Sequence, residues 1–355
     1  MSLTVCVIFG GKSSEHEVSR LSAYNILNKL DQEKYNILTV GIKKNGESHL
    51  YAGDFIHIKD GSWEENPGKS CVISPNSDHG GLLVTNKNGD TFIEKVDVYF
   101  PVLHGKNGED GTIQGVFELS GVPYVGNGVL ASSVCMDKIL TKTVLEKAGI
   151  PVTEGFDVPA WETADAVDEK IKATFGYPVV VKPSNAGSSV GITSADNKEE
   201  LIKALEIAAN EDRRILVEKM LSVREVECAV LGSHKKAEAS CLGEIVKTTA
   251  MYDYETKYID DTSELVIPSA LEKETEEKIR TWAVEAFSAL DCTGLARVDF
   301  FIDKATGEIL LNEINTLPGF TDISMYPKLW EASGLSCGAL LDRLIEIAKE
   351  EFGVR

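Results

Sequence analysis

The sequence predicts an α/β protein of two or three domains that opens on a parallel sheet. Three observations carry this. The chain has 355 residues, more than one ordinary core organises, since domains usually run to roughly 100–200 residues. It begins with a continuous apolar run, Thr4 to Phe9, that ends in Gly10-Gly11. Apolar residues then recur at helical spacing (Val18, Leu21, Ile26 and Leu30) before a second strand at Asn36 to Ile42. Strands alternating with helices imply a parallel sheet, and ligands gather at the carboxyl ends of such strands.

The remaining elements fall into three sections. The first, residues 1–128, holds a third strand, Val96 to Leu103, which ends in His104-Gly105. Residues 43–95 are polar and glycine-rich and predict a surface excursion with a hairpin about Asn88-Gly89. The second section, 129–222, opens with one amphipathic helix from Ser133 to Ala148, stopped by Gly149 and Pro151. A strand at Gly176 to Lys182, a glycine-serine loop at Asn185 to Gly191, a helix at Lys198 to Asn210 and a strand at Arg214 to Lys219 follow. The third section, 223–355, has a strand at Val226 to Leu231 and a long polar and aromatic loop at 247–264. Long loops within compact domains are often lids. A charged helix (Leu271 to Leu290), two strands (Leu295 to Ile302 and Glu308 to Ile314) and a last helix (about Cys337 to Phe352) complete it.

Composition is that of a globular chain, 43% hydrophobic and 26% charged, with no biased stretch. The longest apolar runs are strand-sized, which predicts no membrane span, and the N-terminus lacks the basic and cleavage signals of a signal peptide. A formal net charge of -20 repels phosphate backbones, so nucleic acid is not an expected partner. The seven cysteines are scattered without metal or redox spacing. They read as buried thiols in a reducing cytoplasm.

Chemistry concentrates at Arg297-Val298-Asp299 and Glu313-Ile314-Asn315. Residues two apart on a strand share a face, and Lys304 to Gly307 reads as a turn that pairs the two strands antiparallel. Two carboxylates, an amide oxygen and an arginine then meet on one patch of otherwise apolar strands. Hard oxygen donors suit Mg²⁺; a structural Arg297–Asp299 ion pair is the alternative, though it would not require Glu313 or Asn315. In the loop Lys182 to Gly191, glycines admit close backbone approach, and hydroxyls and N–H groups can hold phosphate oxygens. A plain surface loop is the other reading. Gly10-Gly11-Lys12-Ser13 fails as a P-loop because Cys6 stands where the earlier glycine belongs, and Glu15 to Ser19 fails as a zinc-protease helix because Ser19 replaces the second histidine. The glycine-dense stretch His104 to Gly115 follows a strand and suits backbone beside a ligand, with His104 either a substrate contact or structural. Lys138 by itself would be a solvated charge.

Taken together, these segments resemble the D-alanine–D-alanine ligases of the ATP-grasp superfamily. The resemblance runs from Gly10 to Pro327 in family order: GGKSSEHEVS at 10–19, LHGKNGEDGTIQG at 103–115, MDK at 136–138, VKPSNAGSSVG at 181–191, EKML with Arg224 and Glu225 at 218–225, YDYETKY at 252–258, GLARVDFF at 294–301 and NEINTLPGFTDISMYP at 312–327. It implies a three-domain ATP-grasp architecture with ATP between the second and third sections. It gives Lys138 and Lys182 to the phosphates, Glu218, Lys219, Leu221 and Glu225 to adenine and ribose, and Asp299, Glu313 and Asn315 to two Mg²⁺ ions, which Mn²⁺ could replace. Glu17 would take the ammonium of the first D-alanine, with Ser188 and Tyr258 as its hydrogen-bonded partners, and Lys257 would hold the transferring phosphate. Arg297 and the N–H of Gly319 would stabilise an oxyanion, and Ser324 would take the second carboxylate. The implied reaction makes an acyl phosphate from the first D-alanine and then the dipeptide used in peptidoglycan, by a cytoplasmic enzyme that is a homodimer by analogy. Serine-preferring relatives carry phenylalanine near Tyr252 and arginine where Met325 stands, and lactate-forming ones lack the tyrosine at Tyr258. All three positions here follow the alanine pattern, with D-serine use left open. Other ATP-grasp ligases, or a non-catalytic nucleotide binder of the same fold, are the rivals. The first would not need Glu17, Tyr258 and Ser324 together; the second would not keep every phosphate lysine and metal acid.

Overall fold

The computed structural model describes residues 2–247 and 263–353. Three sheets follow one another along the chain. In the first, β1 (Leu3–Gly10) leads through α1 (His16–Lys29) to β2 (Tyr35–Ile42), its parallel neighbour. The chain continues through β3 (Ser48–Tyr51), α2 (Ile56–Asp60), β4 (Lys69–Ile73), β5 (Gly81–Thr85), β6 (Thr91–Lys95) and β7 (Val98–Val102). β7 pairs parallel with the other side of β1, while β3 to β6 add antiparallel strands beyond β2. β1 is apolar throughout because both its faces are covered. Val5, Val7 and Phe9 pack with Ile26 and Leu27 of α1, and Cys6 and Ile8 pack with Val40, Tyr99 and Phe117 on the opposite face.

Residues 43–95 are therefore part of this sheet, not a surface excursion. Short strands that bury only alternate residues, such as Leu82 and Val84 of β5, leave a weak sequence signal. The stretch also supplies Trp63, which is 1% exposed and lies edge-on to Phe9 at 5.0 Å between ring centroids. Gly41 makes room for it, since a Cβ there would stand 2.4 Å from the indole ring. The hairpin about Asn88-Gly89 is present: β5 and β6 pair across it, with Gly89 at φ +88°.

After α3 (Thr112–Ser120), the expected single helix from Ser133 to Ala148 is two helices, α4 (Val129–Met136) and α5 (Lys138–Lys147). The break is Asp137, extended at φ −88° and ψ 101°, whose carboxylate accepts from the N–H groups of Ile139 and Leu140. An aspartate that caps the next turn competes with continuation of the helix before it. β8 (Gly155–Pro159), α6 (Ala164–Thr174), β9 (Val179–Pro183), β10 (Thr193–Ala195), α7 (Lys198–Glu211) and β11 (Arg214–Lys219) build the second sheet, in the order β10-β9-β11-β8. One face packs on α6 and α7 through Val179, Val181 and Val217. Successive side chains on a strand point to opposite faces, so Val180, Lys182 and Glu218 are turned away from those helices.

The third sheet is antiparallel and ordered β14-β13-β12-β15-β16. Its strands are β12 (Val223–Gly232), β13 (Ala237–Lys247), β14 (Ser263–Val266), β15 (Gly294–Asp303) and β16 (Ile309–Asn315), with α8 (Lys273–Ala289), α9 (Met325–Ala332) and α10 (Cys337–Phe352) around them. Val298, Phe300 and Ile314 pack against Ile279, Ala283 and Phe287 of α8. Leu340, Leu344 and Ile345 of α10 join the core beneath β1, tying the chain's end to its beginning. β8, α6, β13 and β14 were not anticipated. β13 and β14 occupy both ends of the expected loop at 247–264, whose centre lies outside the described residues. Five of the seven cysteines are buried, and no helix among the described residues is long and apolar enough to cross a membrane.

Candidate active site

A cavity of about 800 Å³ lies between the second and third sheets, within the range of small-molecule sites. β9 turns Lys182 into it, β11 Glu218, β12 Glu225 and Glu227, β15 Arg297 and Asp299, and β16 Glu313 and Asn315. Beside them on the same strands, Val181, Val217, Val226, Val298 and Ile314 pack into helix-covered cores, so the alternation that builds the core also delivers the polar side chains to the cavity. Lys138, Ser188, Lys219, Leu221, Gly319, Ser324 and Met325 also line it.

The polar patch on the third sheet has the register expected of it. Asp299 stands opposite Glu313, and Arg297 opposite Asn315. Arg297 donates from Nε and Nη2 to both oxygens of Asp299, at 2.8 and 2.7 Å. It also reaches Glu227 Oε2 at 3.0 Å. Glu227, on β12 opposite Asp299, was not singled out in the sequence; its position two after Glu225 on one strand was the available signal. Among the described residues, no three His, Cys, Asp or Glu side chains form a metal-holding group. The donor set is instead two carboxylates and the Asn315 amide, facing a cavity with room for a polyphosphate. That chemistry suits Mg²⁺, which keeps waters and takes substrate phosphate oxygens.

At the opposite wall, Glu218 sits between two lysines. Lys182 Nζ is 2.5 Å from Oε2, and Lys142 Nζ contacts Oε1. Burial alone would raise the Glu218 carboxyl, but the two ammonium groups outweigh it and hold it down at about 2. Burial would likewise lower Lys182, yet Glu218 keeps it above its ordinary value. Lys142 was missed in the sequence, although it lies one helical turn beyond Lys138 on α5. Lys138 itself donates to Ala186 O at 2.6 Å, so its ammonium rests on the glycine-serine loop. There Ser188 and Ser189 adopt left-handed φ of +50° and +60°, which non-glycine residues rarely take. The buried Ser188 hydroxyl finds no hydrogen-bond partner among the described residues.

Two expected substrate contacts stand elsewhere. Glu17 points out of the cavity to Lys44, its Oε1 2.5 Å from Nζ, and Glu15 lines the cavity instead. The helix begins at His16, so Glu15 remains on the loop beside Gly105 while Glu17 is carried round to the outer face. His104 is buried and does not line the cavity. Its Nδ1 lies 2.9 Å from Leu317 O and its Nε2 3.4 Å from Ser22 Oγ. Ser22 Oγ in turn accepts from Phe320 N at 3.1 Å. Burial pushes the imidazole pKa down, so a neutral ring braces the segment that carries Gly319 and Ser324. Ser324 Oγ accepts from Thr321 N at 2.9 Å. Glu109, in the same glycine-rich turn as His104, also lines the cavity, and burial and Glu15 push its carboxyl well up. Tyr252, Lys257 and Tyr258 lie outside the described residues.

Comparison with known proteins agrees with this architecture. The family model described as "D-ala D-ala ligase N-terminus" matches residues 4–127, and "D-ala D-ala ligase C-terminus" matches 144–346. A D-alanine–D-alanine ligase of Acetivibrio thermocellus is 50% identical, over 98% of this chain and 96% of that one. Among solved structures, the VanG D-Ala:D-Ser ligase from Enterococcus faecalis is 39% identical with a TM-score of 0.89, over 98% of this chain and 100% of that one. The D-alanine–D-alanine ligase from Coxiella burnetii is 36% identical with a TM-score of 0.87, over 99% and 95%. The chain belongs to the D-alanine–D-alanine ligase family, ATP-dependent ligases of ATP-grasp architecture.

Proposed function

We propose that this protein joins two D-alanines to D-alanyl-D-alanine at the expense of ATP. The observation that carries the reading is one cavity with cationic groups on α5 (Lys138) and the second sheet (Lys182) facing Asp299, Glu313 and Asn315 on the third. ATP would lie between them, its phosphates on the two lysines and its adenine and ribose by Glu218, Lys219, Leu221 and Glu225. Asp299, Glu313 and Asn315 would hold two Mg²⁺ ions, or Mn²⁺ in their place, which supply charge neutralisation for phosphoryl transfer. The three-sheet arrangement supports the division into sections 1–128, 129–222 and 223–355.

In the first step the carboxylate of one D-alanine attacks the γ-phosphate, giving an acyl phosphate and ADP. Glu15, in place of Glu17, receives the ammonium of this substrate, because it is the acid of the pair that faces the cavity. Ser188, with Lys257 and Tyr258, contributes to closure over the transferring phosphate. In the second step the amine of the other D-alanine attacks the activated carbonyl, and inorganic phosphate leaves. Arg297 and the Gly319 N–H stabilise the oxyanion, and one such donor is worth about 3 kcal/mol of barrier. Ser324 takes the carboxylate of the second D-alanine, whose side chain meets Tyr252 and Met325; His104 acts by bracing that segment.

The likeness to a D-Ala:D-Ser ligase raises D-serine as the second substrate. Met325 argues for alanine: its thioether packs over Gly243 and gives a hydroxyl no strong partner. Phosphate release with ATP and Mg²⁺ tests the reading. It is expected to depend on D-alanine and not on L-alanine, and release indifferent to D-alanine would refute it.

A further inference from the structure

We propose that Lys142 is a positioning residue of the nucleotide site, holding one oxygen of Glu218 so that Lys182 keeps a surplus positive charge toward the polyphosphate. The proposal rests on reading the cavity as the ATP site. Lys142 is buried and lies outside the cavity lining, so it acts through Glu218 and not on the ligand. Four residues after Lys138, it shares that lysine's face of α5. Its ammonium contacts Glu218 Oε1 and lies 3.4 Å from Thr153 O. Lys182 takes the other oxygen, Oε2.

The charge arithmetic gives Lys142 its purpose. Glu218 with Lys182 alone sums to zero, and a buried neutral pair attracts a polyphosphate weakly. Burial and Lys182 lower the Lys142 pKa while Glu218 opposes them; with Lys142 protonated, the three-residue cluster carries one net positive charge, on the wall that Lys182 shares with Glu218. Lys142 also occupies the carboxylate oxygen toward which Lys182 could otherwise swing. α5 thus serves the nucleotide twice, through Lys138 directly and through Lys142 from behind.

The test compares ADP with adenosine, because their ratio isolates the phosphate-dependent part of affinity from the base. Calorimetry with ADP, and competition with adenosine, would be run on the full chain and on K142M, K142R and the double variant K142M/E218Q. Melting curves would check that each is folded. K142M is expected to bind ADP about tenfold more weakly with adenosine little changed, the size of losing one charge close to a polyphosphate. K142R should retain the parental ratio. The double variant should regain it, because one net charge is restored when the acid is neutralised together with the lysine. Equal losses for ADP and adenosine in K142M, or a ratio still depressed in the double variant, would overturn the proposal. If K142M fails to fold, K142R and the double variant decide it by the same ratio. A parent protein that binds neither ligand would instead refute the ATP-site reading.

Discussion

Glu218→Gln gives the most searching energetic test of the site. The side chain is 2% exposed and faces two ammonium groups. Removing its charge while keeping its shape leaves two buried lysines opposite each other with no counter-ion. Breaking a buried ion pair by deleting one partner costs about 3–5 kcal/mol. For a unit of 150–250 residues, each kcal/mol lowers the melting temperature by roughly 2–4 °C, so a fall of roughly 6–20 °C is expected at neutral pH. The deficit should also depend on pH with a definite sign. In the variant, mutual repulsion and burial depress the folded-state lysine pKa below the unfolded value. The penalty is therefore full at low pH and shrinks as pH rises through the depressed folded value. Calorimetry at pH 7 and pH 9.5 checks this. A melting point within 2 °C of the parent, or a deficit that does not shrink at alkaline pH, would refute the idea that Glu218 is the counter-ion of both lysines.

The parent protein has its own acid signature. Glu218 is held at about 2, below its ordinary 4.5, so its contribution to stability is complete above about 4.5 and drains away as pH falls toward 2; acid melting of E218Q should lack that component. Glu313→Ala should abolish ligation in a protein that still folds, and substantial turnover would sink the metal-site assignment. Gly243→Ala should raise the KM for the second D-amino acid several-fold, because a Cβ there would lie 2.6 Å from Met325 Sδ and overpacking of this size costs about 1–3 kcal/mol; an unchanged acceptor KM would contradict it. Tyr258→Phe should raise ATP hydrolysis uncoupled from dipeptide formation, measured as the ratio of phosphate to dipeptide.

The sequence made the site's walls legible because strand alternation is a rigid rule. Once Val298 and Ile314 are core, Arg297, Asp299, Glu313 and Asn315 must share the opposite face, and they do. The turn at Lys304 to Gly307 fixed their antiparallel pairing. Where single residues decided the outcome, the pattern was insufficient. Nothing in the spacing of Glu15 and Glu17 tells which one the first turn of α1 carries away from the ligand. Asp137 divides a stretch whose apolar period looks unbroken, and only its capping bonds reveal why. Lys142 looks like any helix lysine until Glu218, 76 residues on, is folded against it. β4 escaped because Lys69, Ser70 and Val72 face solvent and dilute the apolar signal.

Acyl-phosphate ligation of two D-alanines is open to a direct test by oxygen transfer. The protein would be incubated with ATP, Mg²⁺ and D-alanine labelled with heavy oxygen in its carboxylate, and both products weighed by mass spectrometry. The expected products are D-alanyl-D-alanine and inorganic phosphate that has gained one heavy oxygen from the first substrate. Dipeptide accompanied by unlabelled phosphate, or labelled phosphate with no dipeptide, would contradict acyl-phosphate ligation.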